Sequence, residues 1–395
     1  MRDYLLLMIR AMIFFVFIPI QVHALPTPEA TVSPDAETTN YSTEPNIQKL
    51  LQQEDQNISA EFPYRVNLFT DGQINKSKAG TRFSETAKQF LSDTSGLLFY
   101  YELVNNAMRV PHWHANATEI GTVLNGKMRI TIWEGSGNTK IFTVEKNGTW
   151  IIPKAKLHAL ENVGKDEMKF IVAYDSPIAA DKDFLTAWTS LPDAVLARAV
   201  GLSEQDVAGI RETTVDRLSK FDPAASYMKA DESSTLSNNF MSVKPLYQSP
   251  LGSITRIDSK INPRMKMMAL QKTIMKPNVL RIPHWYTSGD VLLFVLKGNA
   301  FFTMMNDEGK VYHTIISRGD VISIPIGNFH SFLNIGQDDL EIYEAFNRVD
   351  DISEITLMNG VQHFSVGMIQ GATGLSQELI KKMNKEKLES YMVAF

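Results

Sequence analysis

The sequence predicts an all-β protein built as two copies of one jelly-roll barrel, each copy followed by short helices. Three observations lead there. Anchor residues recur at a constant offset of 172 positions, short alternating apolar runs are broken by Gly-centred turns, and helical patterns follow each block of strands.

The repeat organises the rest. Arg109-Val110-Pro111-His112-Trp113 returns as Arg281-Ile282-Pro283-His284-Trp285, and the same offset carries Gly126 to Gly298, Pro153 to Pro325, His158 to His330 and Asn162 to Asn334. Anchors held in register over this distance point to an internal duplication. Residues 121–133 alternate apolar and polar around Gly126, residues 142–145 do the same, and Asn147-Gly148 reads as a two-residue hairpin turn. The second half repeats the pattern at 291–298, 319–325 and 340–346. After the first barrel come helical patterns at Asp193–Val200 and 203–210. After the second, a pattern starts at Ser376, a suitable N-cap, and runs through Leu379, Ile380 and Met383 toward Tyr391.

The ends and joints divide the chain as follows. Residues 1–24 read as an export signal, with Arg2 and Arg10 around a first apolar run, an apolar core at 12–20 and a small-residue cleavage site at Val22-His23-Ala24. That core is shorter than the roughly 20 residues a membrane span needs, so a stable anchor is not expected and the protein should be secreted or periplasmic. Residues 25–60, rich in Pro, Thr, Ser, Glu and Asn, read as a flexible leader. The first barrel with its helical extension is assigned to 61–217, a polar linker to 218–245 and the second barrel with C-terminal helices to 246–395. A net charge of -5 offers no polycationic surface for nucleic acid. The absence of cysteine excludes thiolate metal clusters, redox CxxC chemistry and disulfides.

Chemistry concentrates in the first half. His112 and His114 sit two apart and share a face on a strand, Glu119 follows within reach of the next strand, and His158 arrives later after a turn glycine and Pro153. Three of the chain's eight histidines fall in this one constellation. Three neutral imidazoles and one carboxylate suit Mn, Fe, Co, Ni or Zn, whereas Ca or Mg cages use oxygen almost throughout. Trp113, between the two ligands, points to the opposite face.

Residues 111–126 resemble the first cupin motif, HxHx(3–4)Ex(6)G, and residues 148–162 resemble the second, Gx(5)PxGx(2)Hx(3)N. The second match has one residue fewer between Gly148 and Pro153, and Ala155 where the motif has Gly. The chain from about residue 62 onward resembles a bicupin of the oxalate decarboxylase family. That resemblance implies manganese as the metal, a small carboxylate as substrate, possible use of dioxygen, and homo-oligomers in which the helices clasp neighbouring chains. It also implies that Arg109, three residues before the first ligand, anchors a substrate carboxylate. A guanidinium beside a divalent ion is a compact receptor for a small dianion.

Two departures from the family shape the functional expectation. In the second half His284 and His330 match ligands, but Tyr286 replaces the second His, Val291 replaces the Glu, and Asp290 is the nearest stand-in. In the first half, anchoring on Phe184 and Trp188 lays residues 176–183 over the segment where the family carries a lid Glu, and Ala180 falls at that Glu. Asp181 beside it is the best candidate for a lid acid, with Asp183 the second. The reading is a manganese-dependent enzyme on oxalate or a similar acid. An oxalate oxidase or another metal-dependent oxygenase or isomerase is the alternative, and a non-enzymatic binding or storage protein is the third option.

Overall fold

The structure, a computed structural model, describes residues 40–395 apart from 60, 86–88, 91–93, 214, 226–229, 231–233, 348–350 and 384–389. The expected export signal and residues 25–39 of the leader lie outside the described residues. Each half is a barrel of two antiparallel sheets, one of six strands and one of seven. The seven-stranded sheets of the two halves face each other, joined by pairs such as Tyr100 with Phe294 and Phe240 with Tyr343. Their strands are therefore buried on both sides, which explains near-continuous apolar runs such as Leu97–Leu103 and Val291–Lys297. The six-stranded sheets face outward, and alternation shows in strands such as Leu157–Asn162.

The duplication is visible in three dimensions. Asn162 and Asn334 are both buried, donate to carbonyls of the neighbouring strand region, and accept from the backbone N–H of Gly164 and Gly336, each at 2.9 Å. After the barrels, Asp193–Val200 and Glu204–Arg211 form a helix pair, the second opened by a Ser203 capping box. Ser376 caps its helix as expected, but that helix ends at Lys382. Helices at Phe184–Thr189, Leu357–His363 and Val366–Thr373 were not foreseen.

The joints differ from the sequence reading. Arg65–Asn67, expected in the first barrel, pairs with 320–322 of the second, and Ser237–Asn239, expected in the linker, pairs with 148–150 of the first. These two segments are themselves 172 apart, so the barrels exchange their opening strands. The described part of the leader is not a loose tail: Pro45–Glu54 is a helix whose Ile47 is fully buried against Phe301, Leu333 and Ile335 of the second barrel. The first barrel carries the Arg129–Glu161 ion pair at the positions of Phe301 and Leu333, so only the second offers this helix an apolar seat. Asn147-Gly148 is also no hairpin turn. The strands on either side, Asn138–Glu145 and Gly148–Ile152, belong to different sheets. Asn147 takes the left-handed conformation there (φ 66°). Gly148 serves by size, since a Cβ would lie 2.5 Å from Val144 Cγ1.

Candidate metal centre

The ligand strand Ala107–His114 is irregular, and that irregularity builds the site. In a regular strand, residues three apart face opposite sides, so Arg109 and His112 would diverge. Against Leu157–Asn162, however, His112 pairs with His158 while Arg109 pairs with Leu160, leaving Val110 and Pro111 opposite Ala159 alone. This bulge, placed where Pro111 has no N–H to give a ladder, restores the parity. Ala107, Arg109, His112 and His114 consequently all point inward, with Arg109 only 1% exposed.

His112, His114, Glu119 and His158 converge as expected, all buried, with their donor atoms within 4.8 Å of one another. The Nε2 atoms of His114 and His158 lie 3.2 and 3.3 Å from the same Glu119 Oε2. His112 and His158 donate Nδ1–H to the carbonyls of Val110 and Lys156, each at 2.8 Å, which orients both rings with Nε2 toward the cluster. Burial, the Arg109 charge and the neighbouring imidazoles hold the His112 pKa well below its ordinary value, so the ring stays neutral. Burial opposes ionisation of Glu119, but His158 and the hydrogen bonds from His114 and His158 outweigh it and hold the carboxyl well below the usual range. Three imidazoles and a carboxylate at this spacing fit one divalent ion with bonds of about 2.0–2.3 Å. Among the described residues this is the one such cluster.

Sequence reasoning missed three neighbours. Trp150 is fully buried and donates its indole N–H to Glu119 Oε1 at 3.0 Å, orienting the carboxylate. It has room because Gly121 faces it: a Cβ there would lie 2.3 Å from Trp150 Cζ2. Tyr174 sets its ring edge-on to His114, centroids 4.7 Å apart. The third is Arg217, beyond the helices. Its Nη1 lies 3.0 Å from Asp181 Oδ2.

Both lid-acid candidates are engaged by neighbouring groups. Asp181–Asp183 is a short strand paired with His112–His114. Both Asp181 oxygens accept from Arg109 Nη2, at 2.6 and 2.5 Å, so the expected substrate anchor and the expected acid are partners. Asp183 caps the helix Phe184–Thr189, accepting from Thr186 N–H at 2.8 Å, and this fixes it as a structural residue.

The second barrel reproduces the scaffold without the ligands. His284 and His330 again donate Nδ1–H to carbonyls. Tyr286 points its hydroxyl to Glu344 Oε1 at 3.2 Å. Asp290 is no stand-in for the missing carboxylate; it accepts from Ile326 N–H at 2.8 Å.

Two duplicated barrels, the first carrying the metal motifs, define the protein class, and the cupin family profile matches residues 66–208 and 238–381. The chain belongs to the cupin family, as a bicupin. It is 25% identical over 142 residues to the oxalate decarboxylase of Bacillus subtilis, covering 34% of each chain. It is 30% identical over 122 residues to germin-like protein 3-5 of Oryza sativa (29% of this chain, 54% of the relative), and 26% identical over 113 residues to legumin J of Pisum sativum (28% and 22%). These matches span between about a fifth and half of each relative's length. Over the whole fold it superposes on Bacillus subtilis oxalate decarboxylase with TM-score 0.75 (17% identity, 87% and 94% covered). A formate complex of the Lactobacillus farciminis enzyme gives TM-score 0.74 (18%, 84% and 99%).

Proposed function

We propose that the protein is a manganese-dependent enzyme that decarboxylates oxalate or a similar small carboxylic acid in its first barrel. The observation that carries this reading is the intact three-His, one-Glu cluster with a buried guanidinium on the same inner face. Its likeness to oxalate decarboxylases of two bacteria supports the substrate class.

A metal held by His112, His114, Glu119 and His158 would supply a Lewis acid for one carboxylate and, with dioxygen, a one-electron redox centre. Arg109 takes the second carboxylate, which first requires exchange with Asp181, its present partner. That exchange frees Asp181, and the strand carrying it closes the site, excluding water while a proton is passed. Hydrogen oxalate then yields carbon dioxide and formate with no net change in atoms or charge. One observation favours oxidation to carbon dioxide and peroxide as a second reading. Ala180 stands where the family's lid acid is expected, and Asp181 spends both oxygens on arginines.

The test is turnover of the manganese-loaded chain on oxalate, with carbon dioxide, formate and peroxide all measured. Formate as the main product, at least 100-fold reduced in Arg109→Lys and reduced in Asp181→Ala, supports the proposal. Peroxide as the main product, converted to formate by Ala180→Glu, selects oxidation. No consumption of oxalate by the loaded protein refutes both. Export and homo-oligomerisation through the helical extensions are part of the same proposal. Light scattering that gives a strict monomer at micromolar concentration removes the second.

A further inference from the structure

The second barrel keeps a buried arginine that nothing in the first-barrel chemistry uses. Arg256, on the strand Gly252–Ile257, has a side chain only 9% exposed. Its Nε donates to Gln271 Oε1 at 2.8 Å and its Nη1 to the Ile352 carbonyl at 3.4 Å. Its Nη2 has no hydrogen-bond partner. The nearest acid oxygen, Glu354 Oε2, stands off at 3.5 Å and has no partner either. The other Glu354 oxygen belongs to Arg281, the fully buried counterpart of Arg109. One carboxylate thus serves two guanidiniums, and it satisfies only one.

A cavity of about 290 Å³ opens on this group, lined by Arg256, Lys244 and Lys260 on the cationic side, Glu354 and Asp258 on the anionic side, and Tyr391. A second cavity, of about 530 Å³, shares Glu354 and Tyr391, so Glu354 stands between two open volumes. Deeper in the barrel, His284 and His330 aim Nε2 atoms that are buried and unpartnered. With Tyr286 committed to Glu344 and Val291 in the acid position, these two imidazoles are two ligands short of the first barrel's set.

We propose that the second barrel is a metal-independent binding site for a small carboxylate, which engages Arg256 and competes with Glu354 for the Arg256–Arg281 pair. The resident group is itself a carboxylate, so the pocket is already shaped for that planar two-oxygen head. Arg256 Nη2, the one guanidinium nitrogen without a hydrogen-bond partner, is the charged donor such a head would take. The cavity admits a small acid and not a macromolecular segment. Burial of Arg256 removes competing water, so the missing bond is costly until a ligand supplies it.

The experiment separates this site from the first barrel by removing metal there. The chain carrying His112→Ala and His158→Ala is titrated calorimetrically with oxalate and, separately, with acetate. Saturable binding of either acid near one per chain, weakened at least 10-fold by Arg256→Ala and tightened by Glu354→Gln, is the expected result. Thermal midpoints of both variants check that they fold. No saturable binding of either acid, or binding that ignores both substitutions in folded protein, overturns the proposal. Neither outcome depends on turnover, so loss of the proposed oxalate activity and loss of this site are distinguishable.

Discussion

Where the first barrel places Glu119, Gly121 and Trp150, the second places Val291, Leu293 and Ile322, all three buried. The exchange conserves volume: Gly121 makes space for the Trp150 indole, and Leu293 fills the space a smaller Ile322 leaves. Each apolar side chain so buried contributes on the order of 1.5–3 kcal/mol. The scaffold of imidazoles hardly notices. His112 and His158 rings are 4.1 Å apart, His284 and His330 rings 4.2 Å, and the Tyr286 ring sits 5.3 Å from His284, near the 4.9 Å of His114 from His112. Two well-placed histidines alone therefore do not make the ligand set, since the third imidazole, the carboxylate and the indole that aims it are all replaced. The arginine–acid pair tells the converse. Arg109–Asp181 and Arg281–Glu354 both tie a short edge strand to the ligand strand, whether or not a ligand set is present. Such a pair alone does not mark catalysis.

The largest test of the comparison is metal loading. Native protein is expected to hold about one ion per chain. His112→Ala with His158→Ala should abolish it by elemental analysis, and His284→Ala with His330→Ala should leave it unchanged. Two ions per chain would break the asymmetry.

A second contrast lies at Glu85, whose counterpart in the second barrel is Ile257. Burial pushes the Glu85 carboxyl up to about 8, against a lowering by the Leu98 N–H that it accepts. The folded chain holds this proton more tightly than the unfolded one. Stability from it is therefore complete below the unfolded value near 4.5 and is lost as pH rises through about 8. Relative to Glu85→Gln, the native chain should lose on the order of 5 kcal/mol of unfolding free energy across that window. Urea titrations at both ends measure it, and a constant difference between the two proteins would show that Glu85 does not titrate in this range.

Next in size is Trp150→Phe, which keeps the bulk but removes the donor to Glu119. Metal affinity should fall about 10–100-fold in a chelator competition while the fold is retained. An unchanged affinity would mean that the indole merely fills space. The smallest effect is expected at Ala155, which holds a left-handed backbone (φ 62°) in the turn before His158. Ala155→Gly should raise stability by about 1 kcal/mol in thermal unfolding, since only glycine adopts that conformation without strain.

Much of this molecule is local information. The 172-residue offset, the HxH pair with its following Glu and later His, and the caps at Ser203 and Ser376 depend on spacing along the chain. The duplicated all-β architecture and the identity of the four ligands were accordingly legible in the sequence. What stayed hidden depends on pairing between distant segments. Alternation tells which face a residue takes only while the strand is regular, so Arg109 could be placed beside His112 only once the Val110–Pro111 bulge against Ala159 was seen. Asn147-Gly148 has hairpin chemistry, but a turn residue does not say whether the next strand joins the same sheet or the facing one. The exchanged opening strands at 65–67 and 237–239, the helix seated on Phe301, the Trp150 donor and the Arg256–Glu354–Arg281 cluster join residues far apart in the chain. Composition and period carry no signal for such contacts, because burial and hydrogen-bond partners are decided only when the sheets close on one another.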